Sequence, residues 1–265
     1  MRAAGCAGCV WLTLMASAPY RIVPLGTGGW FATDGRETAC VLVVAGEDAL
    51  LLDAGSGLRR LVTQPELLAG VARLHVVLSH FHVDHTSGLA ALPALNLHAG
   101  IWGPGRWLYR IPTQRILAPL MSPPLSPSAP HEFGSVHELV SGEQAIGPFR
   151  VRARAQTLHY APTVALRVDD RLGYVTDTGY ERQTADLVAG VQLLLHEAWS
   201  ADGSGDRERF SATAREAAMT AAAAGAERLV LIHIDPRLDS TAPLLEAARA
   251  VFPATELGED GRSLG

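Results

Sequence analysis

The feature that most constrains this chain is residues 80–85, which read His-Phe-His-Val-Asp-His. Imidazole nitrogens and carboxylate oxygens are the ligands that zinc takes in proteins, and each ion needs three or four of them. Four such ligands in so short a segment cannot all reach one ion, because alternate side chains point in opposite directions. We therefore predict that His80 and His82 serve one ion and that Asp84 and His85 serve a neighbouring ion.

Several short apolar segments, which we predict to be buried strands, end on a polar residue. These residues are Asp53, His80, Asp177, His196 and His233. Reactive groups at strand ends are how α/β proteins assemble a site, so we expect them to converge on one sheet edge. The two ions need further ligands, for which the candidates are His159, Asp177 and His233. A carboxylate such as Asp177 can bridge two cations.

The order of the predicted elements favours a mixed α/β fold. Two pairs of apolar segments, 40–45 with 49–52 and 164–168 with 172–176, are typical of hairpins. Farther along, predicted strands alternate with predicted helices at 211–224 and 243–251. Sheets in the middle with helices outside would bury the apolar faces of both.

Composition is that of an ordinary globular chain. Of its 265 residues, 48% are hydrophobic and 18% charged, and the net charge is −5. No basic run points to nucleic-acid binding through charge, and three cysteines are too few for a disulfide framework. We expect a single domain over residues 19–265, with a proline-rich insertion at 103–148 that forms a surface excursion or lid.

Residues 1–18 are mostly small and apolar and resemble a short signal peptide. Arg2 is the only basic residue before the apolar stretch, however, and a proline at position 19 disfavours cleavage after the small residues that precede it. The apolar stretch is also too short to span a bilayer. We therefore interpret residues 1–18 as a non-essential extension outside the core, and we expect a cytoplasmic protein with no membrane partner.

The His-rich run resembles the HxHxDH signature of the metallo-β-lactamase superfamily, and the similarity extends from about residue 20 onward. Within that superfamily the chain is most similar to the ribonuclease Z group of phosphodiesterases. The segments that carry this similarity are 25–28, 51–55, 174–179, 196–199 and 231–233. The resemblance implies an α/β fold of the four-layer αββα sandwich type.

The resemblance also implies two Zn²⁺ ions and their ligands. The first ion would be held by His80, His82 and His159, the second by Asp84, His85 and His233, and both by a bridging Asp177. Asp53 would orient the His-rich loop from behind the ligands, and a metal-bridging hydroxide would be the nucleophile. We name Asp84, His196 and Glu197 as candidate catalytic residues, the last two as a proton donor and its partner. Manganese or iron would also suit such ligands.

The chain departs from the ribonuclease Z group in three places. Ser211 stands where that group has a histidine that helps to protonate the leaving group, and Trp199 stands where threonine is usual. His159 and Asp177 are only 18 positions apart, which leaves no room for the protruding arm that tRNA-processing members often carry. These departures favour a smaller substrate.

The function that these observations favour is a zinc-dependent phosphodiesterase acting on a small phosphodiester or an RNA 3′ end. The alternative is hydrolysis of carbon esters, lactones, thioesters or β-lactams on the same binuclear site, because metal ligands do not encode the substrate. A third reading, a non-catalytic binding module, is disfavoured because every expected ligand position is filled. The sequence itself does not determine the oligomeric state, and a homodimer is suggested only by analogy with similar proteins.

Overall fold

The computed structural model describes residues 20–202 and 210–264. The expected extension at residues 1–18 lies outside these described residues, so it and the start of the domain stay predictions. No helix in the described part has both the length and the apolar character that crossing a bilayer requires.

The first sheet has the strand order β1-β2-β3-β4-β5-β6. Its strands are β1 (Arg21–Gly26), β2 (Cys40–Ala45), β3 (Asp48–Leu52), β4 (Arg73–Val77), β5 (Ala99–Gly103) and β6 (Ser135–Glu138). The predicted hairpin is confirmed as β2-β3, whereas β3 to β6 run parallel. The hairpin turns at Gly46, whose φ of 62° carries no steric penalty for glycine.

The second sheet has the order β13-β12-β11-β10-β9-β8-β7. Its strands are β7 (Gly142–Ile146), β8 (Phe149–Gln156), β9 (Thr163–Val168), β10 (Leu172–Val175), β11 (Leu193–Glu197), β12 (Arg228–Ile232) and β13 (Thr255–Leu257). The predicted hairpin is confirmed as β9-β10, and β10 to β13 run parallel. Parallel strands bring their carboxyl ends to one edge, where α/β proteins build sites.

Helices cover the outer face of each sheet. They are α1 (Arg59–Thr63), α3 (Thr113–Leu117), α4 (Arg182–Leu187), α5 (Ala214–Ala224) and α6 (Ala242–Arg249), while the short helix α2 (Val83–Thr86) begins in the His-rich run. Successive side chains of β11 show the layering: Leu195 packs between the sheets and Leu194 packs against α5. A third apolar cluster lies between the first sheet and its helices. Three apolar layers separate four layers of elements, so the expected αββα sandwich is confirmed.

Helix α5 begins later than the sequence predicts, at Ala214 rather than Ser211. Thr213 caps it, because the Thr213 hydroxyl accepts a hydrogen bond from the Glu216 backbone N–H at 3.1 Å. The Glu216 carboxylate in turn accepts one from the Thr213 backbone N–H at 2.9 Å. This reciprocal capping box fixes the start of the helix, and Gly225 ends it with a φ of 63°.

The proline-rich segment 103–148, expected to be an irregular excursion, is partly regular. It contains α3, and it contributes the edge strands β6 and β7 to the two sheets. Backbone N–H and C=O groups of β6 and β7 are hydrogen-bonded within the sheets. These two strands are therefore fixed parts of the fold and do not form a lid. Tyr109 of this segment packs edge-on against Phe81 of the His-rich run, with ring centroids 5.5 Å apart. The segment therefore lies beside the metal-ligand loop.

Candidate metal centre

Four of the five predicted strand-end residues, all except His196, meet at one edge of the sandwich. Asp53 and His233 directly follow β3 and β12, and Asp177 follows β10 by two residues. All three adopt left-handed backbone conformations, with φ of 59°, 49° and 51° respectively. This conformation is uncommon for residues other than glycine, and such strained residues cluster at functional sites. The strand ends thus turn sharply where the polar side chains gather.

A first group of donor atoms lies within 4.8 Å of one another and belongs to His80, His82, His159 and Asp177. The ring centroids of His80 and His82 are 4.4 Å apart, and those of His82 and His159 are 5.3 Å apart. His159 Nδ1 lies 2.7 Å from the Phe210 carbonyl oxygen, to which it can donate. Its Nε2 is then left to face the group. Three imidazoles and a carboxylate match the ligand set of a zinc ion.

A second group consists of Asp84, His85 and His233, whose donor atoms are also within 4.8 Å of one another. The Nε2 atoms of His85 and His233 are 3.2 Å apart. Asp84 Oδ2 lies 3.4 Å from His233 Nε2 and accepts a hydrogen bond from the Trp30 backbone N–H at 2.7 Å. The loop after β1 therefore holds this carboxylate in place.

Asp177 stands between the two groups. Its Oδ1 lies 3.4 Å from His159 Nε2 and 3.9 Å from His80 Nε2. Its Oδ2 lies 3.0 Å from His85 Nε2 and 3.3 Å from His233 Nε2. One oxygen thus faces each group, which is the arrangement that a bridging carboxylate requires. The structure brings all the predicted ligands together, and their role as ligands stays a prediction.

Asp53 lies behind this constellation and is fully buried. Its Oδ2 lies 2.7 Å from His85 Nδ1 and accepts hydrogen bonds from the hydroxyls of Tyr174 at 2.7 Å and Ser79 at 2.8 Å. Its Oδ1 accepts one from the Ser79 backbone N–H at 2.7 Å. A carboxylate on Nδ1 fixes the tautomer and direction of an imidazole, so Nε2 of His85 is presented to the site.

The electrostatics of the site suit a cation. His80 is completely buried, and its Nε2 has no hydrogen-bond partner within the part of the chain that the structure describes. Burial lowers the pKa of His80 well below its ordinary value, which keeps the imidazole in the neutral form that binds metals. Burial disfavours the charged form of Asp177, but His233 and His85 hold the pKa of its carboxyl well below the usual range. A cation here would satisfy an otherwise costly buried nitrogen.

Glu197 approaches the second group from β11. Its Oε1 accepts backbone hydrogen bonds from Thr178 at 2.6 Å and Ala212 at 3.0 Å. Its Oε2 lies 3.4 Å from His233 Nδ1. Glu197 therefore stands behind His233 as Asp53 stands behind His85, in a position to orient a predicted ligand rather than to meet a leaving group.

The structure places His196 away from the site, contrary to the proposed role as proton donor. Side chains alternate along a strand, so His196 points toward the helices when Glu197 points toward the ligands. His196 Nδ1 lies 2.9 Å from the Glu197 carbonyl oxygen, and burial lowers the pKa of His196 to about 4. Among the described residues it is not part of the wall of the cavity above the ligands.

A cavity of about 350 Å³ opens over the two groups. Its wall is formed by Trp30, His82, Asp84, His159, Tyr160, Asp177, Trp199, Ser211 and His233. Sequence reasoning missed Trp30 and Tyr160, although Tyr160 directly follows His159 and Trp30 follows the glycine-rich turn. Ser211 does lie at the cavity, so the departure at this position concerns the site itself. Every histidine on the described wall belongs to one of the two ligand groups.

Residues 49–234 match the family described as the beta-lactamase superfamily domain. The chain belongs to this family. A solved structure of similar fold is the metallo-beta-lactamase fold protein YhfI from Bacillus subtilis, with a TM-score of 0.78 and 20% identity. The likeness covers 93% of this chain and 100% of that one. The predicted metallo-β-lactamase fold is therefore confirmed.

Two relatives show that the chain is similar in sequence to ribonuclease Z. One, from Parabacteroides distasonis, is 41% identical over 96 residues, which are 36% of this chain and 32% of the relative. The other, from Metallosphaera sedula, is 26% identical over 292 aligned positions, which cover 89% of this chain and 95% of the relative. Both carry the name ribonuclease Z. The predicted resemblance to a hydrolase of the ribonuclease Z-like group is confirmed at the level of the family.

Proposed function

We propose that this chain is a zinc-dependent phosphodiesterase acting on small phosphodiesters or RNA 3′ ends. The observation that carries the proposal is the carboxylate of Asp177, which presents one oxygen to each group of ligands. Two cations held on either side of such a carboxylate suit an in-line displacement at phosphorus. The name of the two relatives, ribonuclease Z, supports this reaction class.

The predicted ligands would form two sets, one for each ion. The first ion would lie on His80, His82 and His159, the second on Asp84, His85 and His233, with Asp177 between them. When bound, the ions supply an activated hydroxide as nucleophile and stabilise the negative charge that builds on the phosphoryl oxygens. Asp53 lies 2.7 Å from Nδ1 of His85 and Glu197 lies 3.4 Å from Nδ1 of His233, so these carboxylates would keep both Nε2 atoms directed at the site.

The test is turnover of bis(p-nitrophenyl) phosphate by metal-free protein titrated with Zn²⁺. We expect activity to rise with bound zinc up to two ions per chain and to be lost in His82→Ala, because the first ion would then lack a ligand. His98→Ala is the matched control, since His98 is exposed and belongs to neither group. It should keep wild-type activity and metal content.

The outcomes separate the metal centre from the reaction. Two bound ions without phosphodiesterase activity, together with turnover of a lactone, thioester or β-lactam, would replace the phosphodiesterase with hydrolysis at carbon. A protein that binds no divalent cation at the concentrations used would contradict the metal centre itself.

A further inference from the structure

We propose that Trp30 is a stacking platform for a nucleobase, so that the substrate is a phosphodiester of nucleotide size. This inference rests on the proposed phosphodiesterase function and narrows its substrate class. Trp30 lies on the wall of the cavity above the ligands, and 48% of the residue is exposed. A large aromatic ring so exposed beside a buried polar site has contact area to offer a flat ligand.

The backbone of Trp30 ties the ring to the metal centre. The residue adopts a left-handed conformation with a φ of 61°, which is an outlier for a bulky side chain. Its N–H donates to Asp84 Oδ2 at 2.7 Å. Strain of this kind persists only where the surroundings impose it, and it concentrates at functional sites. The conformation sets the ring at the cavity while the amide holds a predicted ligand.

The ring is also held by its neighbours. The Arg237 guanidinium lies over it at 5.2 Å from the centroid, and Phe31 meets it edge-on with centroids 5.2 Å apart. Arg237 is itself fixed by paired hydrogen bonds to Asp235 at 2.9 and 2.6 Å. An aromatic surface restrained before binding loses little conformational freedom when a base stacks on it.

Two further rings make the wall aromatic. Tyr160 is 64% exposed, and its ring packs on Phe210 with centroids 4.5 Å apart. Trp199 lies against the His233 ring, with ring centroids 5.8 Å apart. Every base has a π face, so such a wall favours bases without selecting one by hydrogen bonding.

Cavity size and charge favour a nucleotide over a long nucleic acid. A volume of about 350 Å³ is at the lower end of the range for small-molecule sites. No arginine or lysine is among the described wall residues, and Arg237, which lies over the rings of Trp30 and Trp199, is paired with Asp235. Binding a polymer depends instead on many basic contacts to its phosphates. Arg150 and Arg152 lie in the first half of β8, away from the end that leads to His159, and each is paired with an acidic side chain.

The test compares two p-nitrophenyl esters with the same leaving group: thymidine 5′-monophosphate p-nitrophenyl ester and methyl p-nitrophenyl phosphate. In each hydrolysis, water oxygen bonds to phosphorus, the bond from phosphorus to the phenol oxygen breaks, and p-nitrophenolate departs. We expect zinc-loaded wild type to prefer the thymidine ester in kcat/KM. Trp30→Leu should reduce that preference by about 5- to 150-fold, the range for one stacked base, and Trp30→Phe should keep most of it.

A binding measurement separates this proposal from the proposed function. Calorimetry should show that wild type binds thymidine 5′-monophosphate more tightly than 2-deoxyribose 5-phosphate, and that Trp30→Leu loses the difference. If both esters are hydrolysed but Trp30→Leu slows them equally, or leaves both unchanged, the platform is overturned and the phosphodiesterase stands. If neither ester is hydrolysed but the base-dependent binding is present, the stacking platform stands and the phosphodiesterase function is contradicted. A higher kcat/KM for an RNA oligomer than for the thymidine ester would contradict a substrate of nucleotide size.

Discussion

At the scale of single residues, the site is built on unusual backbone. Asp53, Asp177, His233 and Trp30 all have positive φ, and such residues cost about 1–3 kcal/mol each. Hydrogen bonds and close packing at the strand ends offset that cost. The three polar residues are thereby held in one place, which is what a binding site for cations needs.

Asp53 should control how tightly the second group binds metal. Asp53→Asn removes the charge that fixes His85 while keeping its shape, so we expect zinc affinity to fall about 10- to 100-fold. Competition with a chromophoric chelator measures this. Asp48→Asn is the matched control, because Asp48 also pairs with a histidine, His75 at 3.0 Å, but at the other end of β3. Equal affinities for the two variants would contradict the role given to Asp53.

Gly29 is required by a close approach. A Cβ on Gly29 would lie 2.6 Å from His233 Cε1 and 2.8 Å from Trp199 Cζ3, so both rings would have to move. Displacing a ligand by about 1 Å costs on the order of 100-fold in rate, and we expect Gly29→Ala to lose activity on that scale. Gly35→Ala, in the same loop with nothing within 4 Å of its Cβ, should be unaffected. Similar kcat/KM for both variants would refute this reading.

At the scale of elements, strand β11 serves two faces with adjacent residues. Glu197 faces the predicted ligands and lies 3.4 Å from His233 Nδ1, whereas His196 faces the helices. The two faces have opposite requirements, since one side presents a carboxylate to a histidine and the other buries an imidazole in an apolar layer. One strand therefore contributes both to the site and to the packing of α5.

His196 should make the metal-free protein sensitive to acid. Burial lowers its pKa to about 4, below the ordinary value of 6.5 that it regains on unfolding. Between these values the unfolded chain binds a proton that the folded chain does not, so stability falls as pH falls. From pH 7 to pH 5 we expect a loss of about 2 kcal/mol from this group.

Urea unfolding of the metal-free protein at both pH values measures this loss. His196→Asn, which keeps a donor to the Glu197 carbonyl but does not titrate, should lose about 2 kcal/mol less than wild type over that interval. His98→Asn, at an exposed histidine, should follow wild type. A variant at 196 with the wild-type pH dependence would show that His196 is not the group responsible.

At the scale of the whole molecule, the site joins the two halves of the sandwich. Asp84 and His85 come after β4 of the first sheet, and Asp177 and His233 come after β10 and β12 of the second. Cations bound between them would therefore bind the folded chain and not the unfolded one. Because they bind only the folded chain, such cations would increase its free energy of unfolding by mass action.

Removing metal should lower the melting temperature. Free zinc at about 100 times its dissociation constant adds about 2.7 kcal/mol to the free energy of unfolding. We expect a chelator to abolish this gain in wild type and to have a much smaller effect on His82→Ala. Differential scanning fluorimetry with and without the chelator measures it, and identical melting temperatures for wild type at every zinc concentration would argue against the site.

The sequence by itself determined the αββα architecture and the set of candidate ligands. The mixed α/β class and the candidate ligands follow from local patterns: apolar segments bounded by turns, and a His-rich run followed by polar residues at strand ends. The four-layer architecture is what the family resemblance of those motifs implies. Both His196 and Glu197 are predicted from the sequence to be catalytic, but alternation along β11 allows only one of them to face the site. Which one does so depends on the layer that each face of the sheet meets.

Only the tertiary structure decided how the ligands are held and what surrounds them. Tyr174 reaches Asp53 across 121 positions of sequence, and Trp30 reaches Asp84 across 54. Likewise, β6 and β7 join the sheets from a segment whose prolines suggested irregularity. Contacts of this kind depend on the packing of one sheet against the other, because local propensity sets the direction of a side chain but not its distant partner.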